Sequence, residues 1–309
     1  MQYWPHRRAH RRLPRMRSAP LTDAPSICNL VAYKAGMTHF TMLDDTESAT
    51  KGAEISKACT ILEVPETSVY GIRFYGKDPL TNYKVAVAEV LGASPGKQGK
   101  GEDKLNGVRS RLKEFSDVTA LVVANPESTG IGQHHPVKFE SPVGGKSVEE
   151  KFNFVAGLLS RRLNANDVFK SGEYIDVISI SKGKGWQGSV KRFGISKQFH
   201  KSSIKIRHVG CLGPATPPKV LFTVPHAGQL GANYRTEHNK RIFRIGDSND
   251  KSINPSSGFT NYGVIRNGYI LIGGSVPGPA KSLVRVRKAI RCARSAIKEP
   301  TLSYIAIAK

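Results

Sequence analysis

Residues 173–245 read EYIDVISISKGKGWQGSVKRFGISKQFHKSSIKIRHVGCLGPATPPKVLFTVPHAGQLGANYRTEHNKRIFRI. Glu173 to Ser181 alternates as a strand, and regular structure returns at Arg241 to Ile245. Between Asp176 and Glu237 there is no aspartate or glutamate, while ten lysines and arginines run from Lys182 to Arg235 together with His200, His208 and His226. The glycine, proline and serine content and the lack of a long apolar period leave this interval without a core of its own, so its counter-charge must come from a partner. The pattern is a strand leading in, a basic extension and a strand-like segment leading out.

Working outward, the rest of the charge is as uneven. The 309 residues carry a net charge of +23, yet Asp23 to Asp176 holds 20 acidic and 18 basic residues. The excess lies in six arginines within the first 22 residues and in residues 177–309. A near-neutral body with basic appendages fits docking on nucleic acid better than coating a membrane. With 39% hydrophobic residues there is material for about two domains.

Arg7, Arg8, Arg11, Arg12, Arg15 and Arg17 contain no lysine among them and are spaced by His, Leu and Pro. Guanidinium groups give the bidentate, stackable contacts that ammonium groups lack, so this arm is read as an ordered phosphate-binding segment. It has no apolar core of a signal peptide, and Pro5, Pro14 and Pro20 interrupt the amphipathic helix of a mitochondrial presequence. Cys28, Cys59, Cys211 and Cys292 are scattered without a CxxC pair, which points to reduced thiols in a cytosolic protein rather than to zinc.

Ser26 to Tyr33 reads as a buried strand ending at a turn over Lys34 to Thr38, and Ala58 to Val64, Val69 to Tyr75 and Lys84 to Leu91 follow as short strands. Ser94 to Gly101 is a Gly/Lys linker, Asp103 to Phe115 is helix-like, Val118 to Ala124 is strand-like, and Ser147 with Glu150 opens a helix by a capping box. Two apolar runs around Asn267-Gly268 carry the signature of a type I′ hairpin, and Leu283 to Ile290 reads as a last strand before a basic tail. Short strands at this spacing suggest a barrel or sandwich, and the organisation expected is mainly β with an α/β insertion: an arm at 1–22, a β domain from 23–93, 167–181 and 236–309, an insertion at 94–166 and an extension at 182–235.

Gly183, Gly185 and Gly188 match GxGxxG after a strand. A dinucleotide site would need an apolar helix next and an acidic residue about 20 positions on; Gly194 breaks the helix and no carboxylate occurs before Glu237. The better reading is backbone stripped of side chains so that phosphates approach closely, flanked by Lys182, Lys184, Lys191 and Arg192. Trp186 is placed to stack on bases, whereas Phe193 and Phe199 are expected to pack locally. His134, His135, His200, His208, His226 and His238 match no metal or catalytic spacing and are read as solvated or phosphate-facing. No nucleophile elbow, Walker loop or Ser/Cys–His pair is found, so no enzyme activity, cofactor or metal is expected. The glycine- and proline-broken extension offers neither the helix nor the ribbon of a duplex-DNA architectural protein.

Lys34-Ala35-Gly36-Met37-Thr38, the run KGKGWQGSVKRFGI from Lys182, PHAGQLGANYRTEHNKRI from Pro225 to Ile242 and GVIRNGYILIGGSVPGPAKSLVRVRKAI from Gly263 to Ile290 together resemble the large-subunit ribosomal protein L3 family in its archaeal and eukaryotic form. The length is closer to the archaeal members. The resemblance implies a six-stranded translation-protein-type β-barrel with an α/β insertion and long extensions that penetrate ribosomal RNA near the peptidyl transferase centre. It also implies a role in early subunit assembly, location in the cytoplasmic ribosome, and neighbouring large-subunit proteins as partners, with no membrane and no small-molecule substrate.

The rRNA-binding set expected on this basis adds Lys197, His200, Lys201, Lys205, Arg207 and His208 along the extension to the residues already named. It continues through Gln229, Arg235, Lys240 and Arg241 and onto Lys281, Arg285 and Arg287. The extension tip would lie at Gly213, Pro214, Ala215 and Pro217. Many family members carry a tryptophan where this chain has Ala215, so that aromatic's role does not carry over.

Overall fold

The computed structural model describes residues 7–92, 100–247, 253–292 and 299–306. Most of the expected Gly/Lys linker and much of the basic tail after Ile290 lie outside these residues. The chain is mainly β, 38% strand against 13% helix.

In chain order, β1 (Asn29–Leu43) and β2 (Glu54–Glu63) form a long antiparallel pair. β3 (Glu66–Lys77) and β4 (Lys84–Leu91) follow, then α1 (Lys100–Arg109), β5 (Asp117–Asn125), β6 (Val137–Pro142) and α2 (Val148–Leu158). β7 (Arg162–Leu163) and α3 (Ala165–Val168) return the chain to β8 (Tyr174–Ile180). Within the extension lie β9 (Trp186–Gln187), α4 (Ser189–Phe193) and β10 (Gly228–Gln229). β11 (Tyr234–Gly246), β12 (Tyr269–Gly273), β13 (Leu283–Lys288) and β14 (Leu302–Ile305) complete the chain.

The first sheet runs β13-β8-β11-β12-β2-β1, and β1 pairs again with β13, so six antiparallel pairings return to their starting strand. β1 can do this because it is long: Asn29 to Tyr33 face β13, while Phe40 to Met42 take β14. Strand alternation sends Leu62, Ile270, Ile272, Val284 and Val286 into one buried cluster and Ile61, Tyr269 and Leu271 into a second, beneath the segment that carries Ile253, Tyr262 and Ile265. The second sheet runs β4-β3-β5-β6 with β7 against β3. Phe74 meets Phe115 and the α2 residue Phe152 at ring separations of 4.9 and 5.9 Å. Ser147 Oγ accepts from Glu150 N at 3.1 Å as the capping pattern predicts, but the Glu150 carboxylate accepts from Lys146 N instead of closing the box.

Several expectations are corrected. The runs at Val69 to Tyr75 and Lys84 to Leu91, placed by sequence with the β-domain segment 23–93, are β3, which pairs with β5 of the insertion, and β4, which pairs with β3, so the change of sheet falls at Pro65. Short apolar strands look alike whichever sheet they join. Lys34 to Thr38 is no turn: β1 passes through it with a bulge between Lys34 and Gly36, where a Cβ on Gly36 would meet the Phe259 ring at 2.7 Å.

The helix expected to reach Phe115 stops at Arg109, and a short 3₁₀ turn, Leu112–Glu114, follows. Asn267-Gly268 does not turn a hairpin. The amides of Arg266 and Asn267 are taken by the buried Glu63 carboxylate at 2.8 and 3.0 Å, and Tyr262 OH donates to the same group. The run before Asn267 therefore packs Tyr262 and Ile265 into the second buried cluster instead of pairing with β12.

Candidate nucleic-acid interface

The two limbs of the extension leave the first sheet as a direct continuation of the paired strands β8 and β11. Tyr234 and Arg235 in β11 pair with Ile180 and Ser179 in β8, so the first sheet reaches as far as Tyr234. Beyond them, Ser181 N donates to Asn233 O at 2.9 Å, Lys184 N to Leu230 O at 2.9 Å and Leu230 N to Gly185 O at 2.9 Å. β9 and β10 then pair Gln187 with Gly228 and Trp186 with Gln229. Gly231 is required here: its φ is +75° and a Cβ would sit 2.0 Å from Lys182 O.

The GxGxxG glycines divide into two kinds. Gly185 has φ of +67°, a backbone need that any turn would explain. Gly188 has ordinary extended backbone, caps α4, and would meet nothing within 4 Å if it carried a Cβ. Its bareness is not demanded by internal packing. Gly194, in the left-handed region, ends α4 after one turn.

The expected basic residues sort by what holds them. Lys182, Lys184, Lys191, Lys197, His200, Lys201, Lys205, Arg207 and His208 are exposed along an interval that contains no carboxylate. Trp186 is 76% exposed beside them. Phe199, expected to pack locally, is also exposed, with its ring centroid 4.2 Å from that of His200 and the two rings tilted by 46°. Every residue from Cys211 to Val220, including Gly213, Pro214, Ala215 and Pro217, is exposed.

The arm lies against the root of the extension. Ala9 N donates to Ala232 O at 2.7 Å and Tyr234 OH to Arg11 O at 3.0 Å. Further on, Arg285 donates to Pro14 O at 3.3 Å, and Arg287 to Ser18 O and Oγ at 2.9 and 3.0 Å. The arm is thus held by its backbone and by Pro14 and Pro20, which are buried, while Arg7, Arg8, Arg11, Arg12, Arg15 and Arg17 are exposed. Arm and extension bring two separate basic runs to one region.

Seven of the expected residues bond within the chain. Arg287 is 4% exposed and its Nε and Nη2 bind Asp176 Oδ2 at 3.1 and 2.9 Å. Arg285 is 6% exposed, stacks over Phe139 at 5.5 Å and donates to Glu140 O; burial lowers its guanidinium pKa to about 10, still charged at neutral pH. Alternation on β13 puts both on the face opposite Val284 and Val286, where the arm at Pro14 and Ser18 covers them. Arg241 grips Asp45 with both terminal nitrogens, and Lys240 Nζ meets Glu237 at 2.7 Å. Arg192 donates into its own chain, to His226 O at 2.7 Å and Gln229 O at 3.1 Å. Gln229 is half-buried and spends its amide on Leu230 O and Gly231 O, Arg235 donates to Tyr234 O, and Lys281 is exposed in a turn with φ of +64°.

Sequence spacing missed three residues at this root. Lys34 is buried with its Nζ on Val276 O at 2.6 Å and Gly278 O at 3.2 Å; burial first, then the nearby Lys182 charge, lowers its pKa. His238, read as solvated, has Nδ1 3.1 Å from Asp176 Oδ2 because the β8–β11 register is interrupted between Glu237 and Lys240. Tyr234 holds the arm. None of these has a local signal, since each depends on strand pairing between distant segments.

The ribosomal protein L3 family model matches residues 1–93 and 92–308. The chain belongs to the ribosomal protein L3 family. It is similar to large ribosomal subunit protein uL3 of Methanothermobacter thermautotrophicus, 41% identical over 319 residues covering 98% of this chain and 94% of the relative. It is likewise 41% identical to uL3 of Methanocaldococcus jannaschii over 99% of this chain and 94% of that one. For uL3 of Methanopyrus kandleri the identity is 40%, over 99% and 88%. This is therefore an L3 protein of archaeal type, a ribosomal component and not an enzyme.

Proposed function

We propose that the chain is a structural constituent of the large ribosomal subunit that binds large-subunit rRNA through its arm and extension, near the peptidyl transferase centre, and supports early subunit assembly. The observation that carries this is the juxtaposition of two acid-free basic runs, one held by its backbone against the root of the other. The closed ring of six strands is read as the translation-protein-type barrel, sitting towards the particle surface, with the insertion beside it. Neighbouring large-subunit proteins and the cytoplasmic ribosome complete the setting.

In this reading the protein supplies placement alone. Lysines along the extension neutralise phosphates, Gly188 lets a phosphate approach the amides at the start of α4, and Trp186 and Phe199 offer faces to unpaired bases. With about eight phosphates neutralised, log K against log[salt] slopes by roughly −5 to −7. The test is co-sedimentation with large subunits through a high-salt gradient, comparing wild type with a Lys184→Gln, Lys191→Gln, Lys201→Gln variant. Wild type should remain with the particle and the variant should be depleted from it. Release of wild type at moderate salt, or normal incorporation of the variant together with a much lower melting temperature, contradicts the reading.

A further inference from the structure

We propose that Arg192 is a positioning strut, not a phosphate ligand: it holds the two limbs of the extension in register so that the neighbouring lysines are aligned before RNA arrives. The guanidinium reaches from α4 on the outgoing limb to the returning limb, where Nη1 donates to His226 O at 2.7 Å and Nε to Gln229 O at 3.1 Å. Its Cζ lies 5.0 Å from the Phe193 ring centroid. Directly opposite stands Gly228, buried, where a Cβ would fall 2.8 Å from Nη1 and 2.9 Å from Cζ. Glycine at 228 is what leaves room for the planar head.

The strut spans the end of the β9–β10 pair, from Gln229 within β10 to His226 beyond it, where the backbone ladder between the limbs stops. Charge-assisted hydrogen bonds to two carbonyls three residues apart suit a fork of planar donors; a lysine ammonium is a single point and spans them poorly. Lys191, the adjacent residue, is exposed and makes the contrast: one cation is spent inside the chain and the next is presented outward. A limb already in register loses less freedom when RNA binds, which raises affinity without adding a phosphate contact.

The affinity part of the test rests on the RNA-binding reading above, and a protease part rests on the chain alone. In the free full-length chain, trypsin should cut at Lys197, Lys201, Lys205 and Arg207 about tenfold faster in Arg192→Ala and Gly228→Ala than in wild type or Lys191→Ala, as expected for two lost hydrogen bonds. The melting temperature of the barrel should not change. With deproteinised large-subunit rRNA from a methanogen, titrated between about 50 and 200 mM salt, Arg192→Ala and Gly228→Ala should bind about tenfold more weakly with the wild-type salt slope. Lys191→Ala should reduce that slope by about 0.7 to 0.9, and Arg192→Lys should resemble Arg192→Ala.

Unchanged cleavage in both Arg192→Ala and Gly228→Ala overturns the strut, as does a slope in Arg192→Ala that drops like that of Lys191→Ala. A wild-type chain that fails to bind the RNA overturns the RNA-binding reading instead, and the cleavage rates still decide the strut.

Discussion

Asp176 has no solvent exposure, and five donors converge on it: Arg287 twice, His238, Asn239 N at 3.1 Å and Ile290 N at 3.4 Å. A buried pair gains little over a well-packed apolar pair, but removal of one partner strands the other charge. Asp176→Ala should therefore cost about 3–5 kcal/mol in urea unfolding, whereas an exposed lysine such as Lys201 should cost almost nothing. Asp45 gives a pH-dependent counterpart. The hydrogen bond from Arg241 holds its carboxyl below the usual range, and hydroxyls of Thr50, Thr46 and Ser48 do the same for Asp44. A depressed folded-state pKa contributes stability that is complete above the unfolded value of about 3.9 and is lost as pH falls below it. Lowering the pH from about 5 to about 2 should thus reduce the melting temperature of wild type more than that of Asp45→Asn, measured by circular dichroism.

At the scale of elements, the root of the extension depends on where a side chain can be added. Gly231→Ala must move the Lys182 carbonyl and adopt a positive φ, so it should unzip the limbs and raise protease sensitivity there, at a cost of about 1–3 kcal/mol. Gly188→Ser should leave stability within about 0.5 kcal/mol, because serine also caps α4 and meets open space. It should nevertheless weaken RNA binding in a filter assay if phosphates approach that turn; equal affinity would show that they do not. The strand entering the extension and the glycine break after α4 are legible in the sequence, since both are local. The continuation of β11 to Tyr234 is not, because the residues around it are polar and only the pairing partner Ile180 reveals a strand.

For the whole molecule, charge is segregated by compensation as much as by count. In the insertion, Arg73 is bound by Glu89 and Glu140, and Asp117 accepts from Lys84 and Lys151 at 2.7 and 2.8 Å. On the arm and extension the exposed cations have no carboxylates within their own segments. Deletion of residues 1–12 removes Arg7, Arg8, Arg11 and Arg12 but keeps Leu13, which packs on the core, and the Pro14 and Ser18 anchors. The salt slope of RNA binding should then fall by about 3, with little change in melting temperature.

The amino-acid order by itself determined where charge is absent, which segments alternate, where glycine breaks a helix, and hence that a β body carries a basic extension and arm. These properties follow from local chemistry and counting. Tertiary structure alone decided that β3 and β4 join the insertion, that Asn267-Gly268 yields its amides to Glu63, and that Arg285, Arg287, Arg241 and Lys240 serve the protein itself. Apart from Lys240, whose partner Glu237 is three residues away, their partners lie far away in sequence, and a cation looks the same there whether it faces water or a buried carboxylate. The acid-free interval was legible; which of its cations face outward, and that Arg192 turns back onto its own chain, was a matter of which carbonyls the fold placed within reach.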